Sequence, residues 1–230
     1  MIIHGLQKMT LLDYPGKVAC TVFLGGCDFR CPYCHNWDMA CGKEPPLMED
    51  DKLLEFLKSR KGLLDGVAIT GGEPLLRPDL AKLLSSIKEL GYSIKLDTNG
   101  SHPARLKEIV MAGPVDYVAM DIKNELSRYP LTIGVEDFNT DCIRESVDFL
   151  LEKRVEYEFR TTVVKQFHDR EAFASIGELI DGAGRYFLQA FADRESVPFA
   201  GLEGYGRDKM EEFADIVRPF VGKVALRGLD

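Results

Sequence analysis

The sequence predicts an α/β protein built on a mainly parallel sheet, and three observations carry that expectation. Short apolar runs of strand character alternate with segments of helical period along most of the chain. Strands separated in this way become parallel neighbours through crossover helices. The polar motifs, finally, fall just behind the apolar runs, at the carboxyl ends of the expected strands, where ligands collect in barrels and open sheets alike. About six strand–helix units fit, too few for a complete eight-unit barrel. An open partial barrel and a doubly wound sheet are the two candidates.

The elements follow in order. After Gly16, the apolar run Val18 to Leu24 reads as a buried strand ending at Gly25-Gly26. Helical period then marks Glu49 to Lys61, an apolar run marks a strand from Gly66 to Thr70, and the pair repeats as a helix Asp79 to Leu90 and a strand Tyr92 to Asp97. The alternation continues with a helix Pro103 to Met111, a strand Val115 to Ile122, a helix Asp137 to Lys153 and a strand Val155 to Val164. A helix Glu171 to Asp181 and a strand Tyr186 to Phe191 complete the main series, and the tail adds a helix Asp208 to Val217 and a strand Lys223 to Leu226. The expected organisation is one domain over 1–230, with a core from about 17 to 191, an N-terminal extension 1–16 and a C-terminal helix and strand within 192–230.

Composition narrows the class. With 45% apolar and 29% charged residues the chain is an ordinary globular protein. A net charge of -8 argues against a general nucleic-acid binder. Neither a signal sequence nor a run of ~20 apolar residues is visible, so no membrane association is expected and the cytoplasm is the expected compartment. Six cysteines in that setting point to metal or redox chemistry more than to disulfides.

Three of the six stand within eight residues, Cys27, Cys31 and Cys34. Three thiolates at this spacing can hold an iron–sulfur cluster and leave one iron open, whereas electron carriers and structural zinc sites usually close theirs with four ligands. A dithiol motif (Cys31 to Cys34) or a haem attachment (Cys31 to His35) would leave Cys27 without a role, and a zinc site using His35 would strain its adjacent ligands. Cys20 and Cys142 read as packed core thiols. Cys41 is near enough to the cluster loop to be a spare ligand or an accident.

Gly71-Gly72-Glu73-Pro74 follows a strand and lets a ligand approach the backbone, although a tight turn explains it equally well. Asp97 and Asp121 by themselves read as helix caps or turn residues, Lys123 and Arg160 as surface charges, and His4, His102 and His168 as ordinary polar positions.

Taken together, the Cys-x3-Cys-x2-Cys loop and the Gly-Gly-Glu-Pro turn resemble the radical S-adenosylmethionine (SAM) enzymes. Cys34-His35-Asn36, Leu96-Asp97-Thr98-Asn99-Gly100, Met120-Asp121-Ile122-Lys123 and Arg160 to Val164 look like the glycyl-radical-enzyme activases typified by pyruvate formate-lyase activating enzyme. Gly5 to Gly16 is similar to the subgroup of anaerobic ribonucleoside-triphosphate reductase activating proteins. The resemblance implies a partial (β/α)6 barrel and a [4Fe-4S] cluster on Cys27, Cys31 and Cys34, with SAM on the fourth iron. It places Tyr33 on adenine, Asn36 on the nucleoside, the Gly71, Gly72 and Glu73 backbone on the SAM ammonium and Lys123 on its carboxylate. Arg160 would hold a partner's peptide backbone. A sodium or potassium ion would sit among Asp97, Thr98, Asp121 and the carbonyl of Ala119, where two carboxylates on successive strands would otherwise repel.

By the same resemblance, one electron from a reductant such as flavodoxin or ferredoxin splits SAM, and the 5′-deoxyadenosyl radical takes hydrogen from a glycine of the partner glycyl radical enzyme. The stretch Leu188 to Ala192 lacks the histidine that approaches SAM in the typifying activase; Gln189 is a candidate substitute. A small-molecule radical SAM enzyme such as 7-carboxy-7-deazaguanine synthase, and a non-catalytic iron–sulfur sensor, are the competing readings.

Overall fold

The computed structural model describes residues 1–229; the last residue of the expected domain, Asp230, lies outside the described residues. Among the described residues, ten strands and eight α-helices follow one another: β1 (Ile2–Ile3), β2 (Gly5–Thr10), β3 (Ala19–Leu24), α1 (Trp37–Ala40), β4 (Met48–Glu49), α2 (Asp50–Ser59), β5 (Gly66–Gly71), α3 (Leu80–Glu89), β6 (Ser93–Thr98) and α4 (Pro103–Met111). Then come β7 (Tyr117–Asp121), α5 (Tyr129–Ile133), α6 (Asp141–Leu151), β8 (Glu156–Val163), α7 (Arg170–Leu179), β9 (Tyr186–Ala190), α8 (Arg207–Val217) and β10 (Val224–Arg227). Each strand and helix expected from the sequence is present, with ends displaced by a few residues.

Sheet order decides between the two candidate architectures. The main sheet runs β10-β9-β8-β7-β6-β5-β3-β2, parallel throughout except for the antiparallel β2. A doubly wound sheet must reverse its order at a switch point, and this one does not. Right-handed crossovers in one direction put every helix on the same side, so the sheet curls into an open partial barrel. Successive helices accordingly touch one another outside it, α2 on α3, α4 on α6 and α7 on α8.

Side-chain alternation assigns the two faces. Cys20, Val22 and Leu24 of β3, Ile94 and Leu96 of β6, and Tyr157, Phe159 and Val163 of β8 point outward into the main core beneath the helices. Leu80, Leu83, Leu84 and Ile87 form the matching buried stripe of α3 and stabilise by about 1.5–3 kcal/mol each. The inner face begins with a small apolar floor, Tyr14, Ala19, Tyr117 and Ala119, and turns polar toward the strand ends. Two helix starts show local causes: the Asp169 carboxylate accepts from the Ala172 N–H at 2.9 Å, capping α7, and Pro103 occupies the first turn of α4.

The sheet extends beyond the 17–191 core at both edges. β2, within the segment read as an extension, pairs with β3, and β10 pairs with β9. Cys142 is half-buried at the start of α6, where it packs against the edge of the main core and its Sγ–H donates to the Asn139 carbonyl. Cys20 is fully buried.

Candidate active site

The strand ends converge on one cavity of about 280 Å³. β3 delivers the cysteine loop to it, β5 the double glycine, β6 Asp97 and Thr98, β7 Asp121 and Lys123, β8 Arg160 and β9 Gln189. All three thiols line this cavity.

The cysteine loop is held from three sides. Its first turn is tied to α1 by hydrogen bonds from the Gly26 and Cys27 N–H groups to the Met39 and Ala40 carbonyls, 3.0 and 3.1 Å. Its middle is tied to α5, where the Arg30 N–H meets the Ile133 carbonyl at 2.8 Å, and Phe29 packs edge-on against Tyr129 and Phe138. Its end is fixed by His35, whose ring stacks on Phe191 and whose Nε2 donates to the Ala192 carbonyl at 2.8 Å. His35 therefore faces the end of β9 and does not join the thiols.

Burial pushes the Cys27 and Cys31 thiols up to about 12 and raises Cys34 as well. Thiolates in such a wall need a metal centre to be stable there. Among the described residues, no three His, Cys, Asp or Glu side chains lie close enough together to hold a single ion. Three soft ligands from one loop, spread around a cavity and backed by glycine backbone, fit a multi-iron cluster.

Gly72 lies directly under the loop: its N–H donates to the Leu24 carbonyl and the Glu73 N–H to the Gly26 carbonyl, both at 2.8 Å. The Glu73 side chain is turned away from the cavity and fully buried, accepting from Thr98 Oγ1 at 2.9 Å, Leu75 N at 3.0 Å and Asn99 N at 2.7 Å. Burial pushes its pKa up to about 7 against these donors. Glu73 thus ties the β5 turn to the end of β6.

Other expected residues take up different neighbours. Asn36 reaches the cavity but donates to the Gly71 carbonyl at 3.0 Å. Tyr33 lines the cavity with only 4% exposure, packed against Phe167 with its hydroxyl unpartnered, so little ring surface is presented to a purine. Ala119 is buried in the barrel floor opposite Asp97 in the β6–β7 register.

At the expected alkali-metal site, cationic side chains of the chain itself face both carboxylates. Asp97 takes Lys95 Nζ on one oxygen and Arg160 Nη1 on the other at 3.2 Å. Asp121 takes Arg160 Nε at 2.8 Å and Lys123 Nζ at 3.0 Å. Burial acts to raise both carboxyls, but the Arg160 guanidinium and the two lysines outweigh it and hold them below the usual range. Arg160 lines the cavity with two of its three nitrogens bridging the carboxylates and its side chain 14% exposed.

Lys95 and His168 were not singled out from the sequence as site residues. His168 is buried beneath the β7 turn, accepting the Val164 N–H at Nδ1 and donating from Nε2 to the Lys123 carbonyl at 2.9 Å. His4 accepts the Gly25 N–H at the end of β3.

His102 sits 3.2 Å from Asp28, the residue between Cys27 and Phe29. Nε2 makes no hydrogen bond of good geometry, so the contact is an ion pair when the imidazole is protonated. Asp28 also accepts from Asn99 Nδ2 at 2.9 Å. Asp28 is pulled down from 3.8 to about 2, with burial opposing the His102 and Asn99 contacts, while the contact with Asp28 raises His102 above 6.5. The stabilisation is therefore present above pH 3.8 and lost as pH falls through about 2; on the alkaline side it is complete below 6.5 and lost as pH rises through the raised His102 pKa. In urea unfolding of the apoprotein, wild type is expected to exceed His102→Gln by at most about 1 kcal/mol at pH 6. The margin should shrink as the pH is raised to 8.

Comparison with known proteins agrees with this geometry. The Radical SAM superfamily model matches residues 21–172, more than half of the chain. MJ1227 of Methanocaldococcus jannaschii, whose name assigns it to glycyl-radical enzyme activation, is 27% identical over all of this chain and 97% of its own length. A pyruvate formate-lyase-activating enzyme from Clostridium pasteurianum is 39% identical, over 53% of this chain and 52% of that protein. Among solved structures, Streptococcus suis SuiB bound to its precursor peptide SuiA shares the fold with a TM-score of 0.73 at 15% identity, covering 90% of this chain and 48% of SuiB. The chain is therefore an enzyme of the radical SAM superfamily, a membership that implies a [4Fe-4S] cluster and S-adenosylmethionine as its cofactors.

Proposed function

We propose that this chain is an activase that cleaves SAM reductively and removes hydrogen from a glycine Cα of a partner glycyl radical enzyme, the partner being an anaerobic ribonucleoside-triphosphate reductase. The observation that carries the reading is the convergence of three thiols of one loop, the double glycine and a charged rim on a single cavity. The match to MJ1227 over nearly its full length supports the activase reading, and the choice of partner rests on the likeness of Gly5 to Gly16 to the reductase-activating subgroup.

Cys27, Cys31 and Cys34 would hold the cluster. Lys123 and the Gly71-Gly72 backbone would take the amino-acid end of SAM, and Asn36 and Gln189 would lie along the nucleoside. When bound, the cluster and SAM supply a one-electron cleavage that yields a 5′-deoxyadenosyl radical, with the electron drawn from a flavodoxin or ferredoxin of the cytoplasm. The chain's own part is to orient the ligand and exclude water, and no side chain is needed as general acid or base.

The reconstituted protein with SAM and a strong reductant is expected to yield 5′-deoxyadenosine and methionine, and a reductase partner should then show the doublet electron-spin signal of a glycyl radical. An intact cluster without cleavage would sink the proposal. Cleavage with no signal on the reductase, but a signal on another glycyl radical enzyme, would change the partner; cleavage productive only with a small molecule would replace the activase reading.

A further inference from the structure

Lys95 is a charged residue placed where an apolar one would be expected. It lies in the middle of β6 on the inner face, between Ile94 and Leu96 of the outer core, and is 2% exposed. Burying an ammonium is costly unless it is paired, and a methionine would fill a similar volume without that cost.

What retains the ammonium is the chain of contacts that begins at it. Lys95 bonds Asp97, Asp97 bonds Arg160, Arg160 bonds Asp121 and Asp121 bonds Lys123. The signs alternate from the barrel interior to the cavity mouth. Three cations face two carboxylates, leaving one positive charge in surplus. The next inward acid, Glu158, does not cancel it, being held by both Nη atoms of Arg227 at 2.7 and 3.0 Å and by the Tyr117 hydroxyl at 2.8 Å.

We infer that Lys95 is a positioning residue for SAM: it serves as a built-in counter-ion to Asp97, so that Arg160 and Lys123 present the surplus positive charge to the ligand carboxylate and no soluble cation is required. Without Lys95, Arg160 is the one cation left on Asp97, Lys123 still pairs with Asp121, and the ladder of two cations and two carboxylates sums to zero. The two carboxylates then form an oxygen-rich set that a small hard cation can enter. This inference rests on the proposed binding of SAM at this cavity.

The test is SAM affinity of the reconstituted holoprotein, by equilibrium dialysis in sodium, potassium or choline chloride at equal ionic strength. Wild type is expected to bind equally in all three. Lys95→Met should bind about tenfold more weakly in choline, the scale of one charge-assisted contact, and recover in sodium or potassium. The double variant Lys95→Met, Asp97→Asn restores the surplus charge and should bind alike in every salt.

Wild-type dependence on sodium or potassium would overturn the inference. So would a Lys95→Met variant that binds normally in choline, or one whose loss no cation restores. Iron content and melting temperature on the same samples identify a folding failure, in which case the wild-type salt series decides alone. Wild type that retains its cluster but binds no SAM in any salt would instead overturn the proposed function.

Discussion

Replacing any one of Cys27, Cys31 or Cys34 with alanine is expected to reduce the iron of the anaerobically reconstituted protein from about four per chain to near zero. The loop offers three thiols to one cavity, and burial already disfavours each thiolate in the absence of a metal. Losing one leaves two, too few to hold a cluster against solvent and exchange. Cys20→Ala is the control, since its thiol faces the outer core from β3 and raises no ligand to the cavity. Cys142→Ala, at the start of α6, should likewise keep full iron. Full iron content in a Cys31→Ala protein would remove the basis of the site.

Gly72→Ala should be nearly as damaging, for a purely steric reason. A Cβ at this position would stand 1.9 Å from the Gly26 carbonyl oxygen and 2.6 Å from its carbon. Neither backbone can yield. Gly72 and Glu73 are bonded to β3 and the cysteine loop, and Gly26 and Cys27 are bonded in turn to α1. A loss of more than about 3 kcal/mol is expected, beyond ordinary overpacking because the clash is with backbone and not with a flexible side chain. The displaced loop should also take up less iron. Gly91→Ala is the contrast: its φ of +87° strains any other residue, but nothing lies within 4 Å of the new Cβ, so a cost of about 1 kcal/mol and normal iron are expected. Equal melting temperatures for wild type and Gly72→Ala would show that the crossing of the two loops is looser than described.

The sequence by itself determined the features whose information is local. Strand and helix periods gave β3 and β5 to β9 with their helices, because each element's apolar stripe is written in consecutive residues. Three cysteines in eight residues, and glycines at a strand end, are equally local and located the site. The elements not foreseen are those with little local signal. β2 is an edge strand with three exposed residues in succession, Gln7 to Met9, α1 and α5 have four and five residues, and β1 and β4 have two each.

Only the tertiary structure decided how the site's charges are satisfied. Asp97 and Asp121 are met by Arg160, 63 and 39 residues away along the chain, and Asp97 also by Lys95 through its inward orientation. That orientation depends on strand register, in which a slip of one residue would send Lys95 into the outer core. Glu73 turned beneath its loop, and His168 beneath the β7 turn, answer to the same cause. A buried polar group must find its partners wherever the fold brings them, and those partners come from segments that only the closed sheet makes neighbours.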